Sequence, residues 1–293
     1  MAERAPLAYP FPPPPSLYEP SAKLAELRAE QPVVQLRMPD GKLAWLVTRF
    51  EDVRQVLIDP RFSRAAASGP DVPTTGLGDL AADSILGMDP PEHTRLRRLV
   101  AGAFTARRVE ALRPRVAELV DQLLGAMEEL PQPADLVEHF SLPLPVQVIC
   151  ELLGVPAEDR HTFHAWSDGI LGDLNADPVK VREAFVAIGG YLFGHIQAKR
   201  AAPGEDLMSA LIAARDRDDR LSEEELVMLC VSVLVAGHET TANQINMFLL
   251  TLLHFPAEFD RLRANPDTVP DAVEELMRFV QLGEGSVGMP RVT

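Results

Sequence analysis

The chain has 293 residues, of which 46% are hydrophobic and 24% charged, and its formal net charge is −15. This balance is typical of a globular protein with a sizeable core, and the negative charge argues against a general nucleic-acid-binding protein. The N-terminus lacks the basic and apolar regions of a secretory signal. The apolar run Leu226–Val235 is broken by Ser232 and is shorter than the roughly 18 residues of a membrane span. We therefore expect a cytoplasmic protein that binds neither nucleic acid nor membrane.

Helices dominate the elements that the sequence predicts, and two short strands precede most of them. From Pro90 onward one apolar helical pattern follows another, separated by breaks that contain proline or glycine. The sequence therefore predicts a mainly α fold with a small β-sheet region. In chain order, the elements before Pro90 are a helix over 21–30, strands over Val33–Arg37 and Leu43–Thr48 joined by an Asp40-Gly41 hairpin turn, a helix over 50–58 and a long loop over 63–87.

The most informative segment is AGHETT, which begins at Ala236 in the middle of a long apolar helix. Ser222 followed by Glu225 predicts a capping box at the start of this helix, and Pro256 marks its end. A glycine in mid-helix costs about 1 kcal/mol relative to alanine, and a buried acid or hydroxyl costs more unless it finds a partner. The centre of the helix is therefore expected to serve something besides packing.

Small residues share one face of the helix at this point. Ala236 and Gly237 lie within one turn of Thr240, which leaves room for a flat group against the backbone. Glu239 adds a carboxyl group beside the Thr240 hydroxyl, and an acid next to an alcohol suits proton delivery. The alternative is a kinked core helix whose threonines donate hydrogen bonds to carbonyls one turn earlier.

A second group of polar residues follows Asp89, which is predicted to cap a helix that contains proline in its first turn. His93 and Arg97 are four residues apart, and two donors at that spacing suit a carboxylate or phosphate beside the helix. Further arginines make this region a basic cluster in an acidic protein, although a solvated basic face is the simpler alternative. The arginines of this cluster are Arg95, Arg98, Arg107, Arg108, Arg113 and Arg115.

Glu275 and Arg278 form a third motif, an E-x-x-R pair that fits along one helix but is common by chance. Taken in this order and spacing, the HTRLR, AGHETT and EELMR segments resemble the cytochrome P-450 superfamily of haem-thiolate monooxygenases in its soluble bacterial form. The resemblance runs over the whole chain. It implies a single cytochrome P-450 domain over residues 1–293 that is incomplete at its C-terminus.

The resemblance implies which parts of the chain line the substrate pocket and which residues contact the haem or deliver protons. The substrate pocket is expected to include the loop over 63–87, the stretch around Leu171, the first half of the long helix and Ser286–Met289. The implied site residues are His93, Arg97 and Arg291 for the haem propionates, Ala236 and Gly237 for the porphyrin face, Glu239 and Thr240 for proton delivery, and Glu275 and Arg278 for a structural pair.

The axial cysteine of the family, whose thiolate promotes oxygen–oxygen cleavage, is expected beyond Thr293. Neither Cys150 nor Cys230 follows a glycine-rich turn, and both lie in apolar helical patterns that predict buried, inert thiols. No metal ligand is therefore expected within this chain. It is interpreted as a truncated piece of an ordinary enzyme, with a degenerate gene product and a haem-free auxiliary protein that activates a partner enzyme as alternatives.

The resemblance implies an enzyme that inserts one oxygen atom of O2 into a small hydrophobic organic substrate, by hydroxylation or epoxidation, in secondary or xenobiotic metabolism. It also implies electron supply by an acidic ferredoxin, for which the basic surface around Arg95, Arg98, Arg107 and Arg108 is a candidate docking face. A metal-dependent hydrolase that uses His238 and Glu239 is disfavoured, because the second histidine of an H-E-x-x-H motif is missing.

Overall fold

The computed structural model divides the chain into two compact units, residues 1–89 with 273–293 and residues 90–272. The sequence-based prediction of one domain over residues 1–293 stays a prediction. The residues that the structure describes are 5–12, 14, 16, 18–19, 21–68, 72–73, 84–159, 162, 165–166, 178–218 and 221–280.

A three-stranded sheet lies in the first unit, with β1 (Leu7–Ala8), β2 (Val33–Arg37) and β3 (Leu43–Val47) side by side in that order. Strands β2 and β3 pair antiparallel, and Gly41 takes a φ of 82° in the turn between them, which glycine adopts without strain. The predicted hairpin is therefore confirmed. Strand β1, which pairs parallel to β2, is not predicted from the sequence, because two residues are too few to show an alternating pattern.

Two helices of the first unit, α1 (Ala22–Glu30) and α2 (Phe50–Ile58), occupy their predicted positions. Helix α1 packs against β2, and its Leu27 is buried together with Leu36 of the strand. The inward-facing residues of β2 and the apolar side of α1 thus form the core of this unit.

Asp89 organises the loop that precedes the second unit. Its carboxylate accepts hydrogen bonds from the backbone N–H groups of Arg64, at 2.8 Å, and Ala65, at 3.1 Å. The prediction that Asp89 caps the following helix is wrong, because that helix begins at Glu92 without a side-chain cap and the carboxylate is already occupied by the loop. Within the predicted loop, residues 69–71 and 74–83 lie outside the described residues.

The described part of the second unit is built from helices, and a π-helical turn over Val137–Ser141 precedes the third of them. The last helix continues into the first unit. These helices are α3 (Glu92–Ala103), α4 (Ala106–Glu128), α5 (Pro143–Leu153), α6 (Pro178–Ala201), α7 (Leu207–Asp218), α8 (Glu223–His254), α9 (Pro256–Ala264) and α10 (Val269–Phe279).

Helix α8 is the long helix that the sequence predicts, and it packs against α5 and α6. The predicted capping box is present: the Ser222 hydroxyl accepts from the Glu225 N–H at 3.1 Å, and the Glu225 carboxylate accepts from the Ser222 N–H at 2.8 Å. Leu226 and Leu234 are buried. The first half of α8 therefore lies in the core of this unit.

By length and composition alone, α8 could also cross a membrane. An apolar stretch of 18 residues within α8 includes the polar centre as well as residues of the apolar run, and 41% of that stretch is buried. The core helix of a water-soluble protein can have the same length and composition, so these two properties alone do not indicate a membrane span. The expectation of a protein without a membrane partner stays a prediction.

Gly154 closes α5 in the left-handed conformation, with a φ of 71°. A Cβ at this position would lie 2.6 Å from the Oδ2 atom of Asp206 and would also collide with the Lys199 ammonium group. Those two side chains form a salt bridge of 2.5 Å and are mostly buried. Both the backbone conformation and the neighbouring ion pair therefore favour glycine.

We expect Gly154→Ala to lower the free energy of unfolding by at least about 1–2 kcal/mol, because a left-handed residue with a Cβ is strained and the ion pair must move. Gly190→Ala is the matched control, since a Cβ within α6 meets no atom within 4 Å there. Alanine is expected to be neutral or stabilising by up to about 1 kcal/mol at Gly190. Chemical denaturation measures both variants, and equal effects would contradict this account.

Candidate functional site

The middle of α8 leaves one face open. Ala236, Thr240 and Asn243 are exposed, and their spacing of four and three residues places them on one side of the helix. His238 lies on the opposite side and is 1% exposed. The helix therefore presents the small side chains of Ala236 and Thr240 at its centre, with the polar Asn243 one turn further on, while its other side is buried.

Thr240 donates a hydrogen bond from Oγ1 to the Ala236 carbonyl at 2.6 Å. This is the hydrogen bond that the core-helix alternative predicts, and Thr251 makes the same bond to Met247 at 2.7 Å. The two threonines differ in exposure, because Thr251 is buried whereas Thr240 is exposed. A hydroxyl that donates one hydrogen bond keeps its acceptor lone pairs, so the Thr240 oxygen is held in place and stays accessible.

Gly237 has a packing role that the sequence analysis missed. A Cβ at this position would lie 3.0 Å from Cδ1 and 3.4 Å from Cγ1 of Ile149 on α5. The glycine therefore allows α5 to approach α8 closely next to the open face. No local signal marks this contact, because Ile149 and Gly237 are far apart in the sequence.

His93 and Arg97 share one face of α3, as their spacing predicts. His93 is half-buried and Arg97 is exposed. Within the described part of the chain, neither side chain makes a hydrogen bond or an ion pair. Both donors are therefore available to an anionic group brought to this face.

Three arginines of the basic cluster are already paired with acids. Arg95 donates to both carboxylate oxygens of Glu225. Arg113 donates to Glu110 at 2.6 Å, and Arg115 donates to Glu151 at 2.7 Å and to Glu118 at 2.8 Å. Of the predicted docking face, Arg95 is therefore occupied, whereas Arg98, Arg107 and Arg108 pair with no described acid.

Glu275 and Arg278 form the predicted pair along α10. Arg278 donates to the two oxygens of Glu275 at 2.6 and 2.7 Å, and this hydrogen bonding lowers the pKa of Glu275. Both side chains are exposed, whereas Leu276 between them is buried. The pairing is confirmed, and its structural role near a haem stays a prediction.

Both Cys150 and Cys230 are buried thiols at 0% exposure, as their apolar surroundings predict. Burial raises the pKa of Cys230 to about 12, so this thiol is protonated near neutral pH. Among the described residues, no group of three or more His, Cys, Asp or Glu side chains forms a metal site.

Several predicted site positions lie outside the described residues. They include Arg291, proposed for a haem propionate, and the pocket-lining stretches around Leu171 and over Ser286–Met289. Their placement relative to the open face of α8 therefore stays a prediction. Glu239 is described: it is half-buried on α8, beside Thr240 in the sequence.

Comparison with known proteins identifies the family. The cytochrome P-450 family model matches residues 180–278. Nocardicin C N-oxygenase of Nocardia uniformis subsp. tsuyamanensis is 49% identical over 262 residues, which are 89% of this chain and 66% of that protein. Mycinamicin IV hydroxylase/epoxidase of Micromonospora griseorubida is 45% identical over 286 residues, which are 98% of this chain and 72% of that protein.

The solved structures agree with this result. The LnmA cytochrome P-450 hydroxylase from the leinamycin pathway of Streptomyces atroolivaceus S-140 has a TM-score of 0.89 and 44% identity, over 98% of this chain and 72% of that one. This chain belongs to the cytochrome P-450 family, and the predicted fold class, mainly α with a small sheet, is confirmed. The chain spans 66% and 72% of the lengths of the two curated relatives above.

The contact between Gly237 and Ile149 gives a double-mutant test. Gly237→Ala gains helix propensity of about 1 kcal/mol but crowds Ile149, and Ile149→Val removes the methyl group that is crowded. We expect Gly237→Ala to be more favourable in the Ile149→Val background by about 0.5–1 kcal/mol. Chemical denaturation of the four proteins measures this coupling, and additive effects would show that the two side-chain positions do not meet.

Proposed function

We propose that the full-length protein is a haem-dependent monooxygenase that inserts one oxygen atom of O2 into a small hydrophobic organic substrate. Hydroxylation or epoxidation of a secondary metabolite in the bacterial cytoplasm is the proposed setting, because the relatives include a nocardicin N-oxygenase and a mycinamicin hydroxylase/epoxidase. The observation that carries the proposal is the open face of small residues at the centre of α8, in a chain of this family.

The residues present fit a haem. A flat macrocycle needs a face without large side chains, and Ala236 and Thr240 supply one. Its propionates need donors that are not already paired, and His93 and Arg97 supply these one turn apart on α3. When bound, the haem would supply the binding and activation of O2.

The chain's own residues would bind the cofactor and move protons. His93 and Arg97 would hold the propionates, and the small Ala236 side chain beside Gly237, which has none, would let the macrocycle approach the helix backbone. The Thr240 hydroxyl donates its proton to the Ala236 carbonyl at 2.6 Å, and by turning from that carbonyl it would release the proton at the open face of α8. The Glu239 carboxyl group would resupply that proton at Thr240 Oγ1.

Electron supply is the remaining requirement. Arg98, Arg107 and Arg108 are exposed, and no ion pair to a described residue occupies them. Exposed positive charges of this kind steer an acidic partner into contact. We therefore propose an acidic ferredoxin as the electron donor and these arginines as part of its docking face.

Replacing Thr240 tests the proton-delivery step. We expect Thr240→Ala to release several-fold more hydrogen peroxide per NADPH consumed. Without the proton that Thr240 delivers, reduced oxygen leaves as hydrogen peroxide and the substrate is not oxidised. The control is Thr241→Ala, which removes an exposed hydroxyl from the next residue. The measurement is peroxide release with a ferredoxin and its reductase. Equal peroxide release from both variants and the wild type would remove Thr240 from this role.

Replacing Arg97 tests the cofactor contact. Loss of one charged hydrogen bond to a propionate should raise the rate of haem dissociation by about tenfold. Arg98→Ala is the matched control, because Arg98 is also exposed and is adjacent in the sequence but lies off the His93 face. Transfer of haem from the full-length protein to excess apomyoglobin gives the rates. Equal rates for the two variants would contradict the assignment of Arg97.

A further inference from the structure

Arg95 lies between His93 and Arg97 in the sequence but points to the other side of α3. At about 100° per residue, its side chain leaves the helix roughly 180° from the middle of the face that His93 and Arg97 share. There its guanidinium donates to Oε2 of Glu225 at 3.2 Å and also to Oε1 of the same carboxylate. Such a two-point contact fixes orientation as well as distance.

Glu225 has two partners at once. Its Oε2 atom accepts the Ser222 N–H of the capping box at 2.8 Å, so the carboxylate that Arg95 contacts is itself fixed to the first turn of α8. The Arg95 and Glu225 side chains are 34% and 26% exposed, whereas those of the Arg113–Glu110 pair on α4 are 75% and 65% exposed. Solvent therefore screens the Arg95 pair less than an ordinary surface pair.

The other side chains of α3 constrain the rotation of the helix about its own axis only weakly. Among its described side chains only Leu96 is buried, and the helix packs against α7. Leu99 and Val100 are only half-buried, so Leu96 resists removal of the helix from the core, while rotation about the helix axis is opposed weakly. Arg95 is adjacent to Leu96 in the sequence, and its contact with Glu225 opposes rotation of the helix about its axis.

We propose that Arg95 is a positioning residue, which holds α3 against the first turn of α8 and thereby sets the direction in which His93 and Arg97 meet the haem propionates. The inference rests on the proposed function, because it assigns to Arg95 an indirect part in the same cofactor site. Arg95 itself makes no contact with the haem in this account.

The test uses the haem-loaded full-length protein and two substitutions of Arg95. Haem transfer to apomyoglobin and hydrogen exchange of the α3 backbone are measured for each. We expect Arg95→Met to raise the rate of haem loss by about tenfold and to speed exchange in α3. Arg95→Lys should fall between Arg95→Met and the wild type, because it keeps the charge but loses the two-point contact.

Two controls separate positioning from general stability. Ser222→Ala weakens the capping box but keeps Arg95 paired with Glu225, and Arg113→Met breaks an exposed pair. We expect Ser222→Ala, which loses a helix cap, to lower the thermal midpoint about as much as Arg95→Met does, and we expect both controls to leave haem loss near the wild-type rate. Haem loss that follows the thermal midpoint across all the variants would show a merely structural role and overturn the inference.

The outcomes also distinguish this inference from the proposed function. Faster haem loss in Arg97→Ala together with an unchanged rate in Arg95→Met would overturn the role of Arg95 and leave the haem site standing. A wild-type protein that fails to retain haem would overturn the proposed function, and the inference would fall with it.

Discussion

Helix α8 buries its first half and leaves its central face open, and α5 and α6 of the second unit pack against it. Leu226, Leu229 and Leu234 are almost fully buried, and such burial supplies most of the stabilisation of a helix this long. The face that carries Ala236 and Thr240 contributes little to that burial. The helix therefore combines a rigid apolar side with a face that can receive a ligand.

Charged contacts add to the burial of Leu226 in fixing the start of this helix. Glu223 accepts a hydrogen bond from Arg200 of α6 at 3.0 Å, and Glu225 accepts from Arg95 of α3. Acidic residues in a first turn also interact favourably with the positive end of the helix dipole. The hydrogen bond from Arg95 lowers the pKa of Glu225, and the one from Arg200 lowers the pKa of Glu223, so both stay ionised near neutral pH.

Features that depend on neighbouring residues could be predicted from the sequence, and features that depend on distant ones could not. The capping box at Ser222 and the Glu275–Arg278 pair each lie within one helical turn, so their spacing reveals them. The Arg95–Glu225 contact joins residues 130 positions apart, and Asp89 bonds to a loop 25 positions earlier. Helix packing decides these contacts, and no local pattern reports it. The family motifs supplied the His93–Arg97 and Ala236–Thr240 assignments, because local chemistry alone left simpler alternatives open.

Helices α3 and α8 are proposed to supply one side of a haem site, with small residues against the macrocycle and two donors, His93 and Arg97, at its edge. The most direct test is a crystal structure of the haem-loaded full-length protein. We expect the haem against Ala236 and Thr240, with its propionates in hydrogen-bond contact with His93 and Arg97. A haem bound elsewhere, or a central face of α8 covered by protein side chains, would contradict this account.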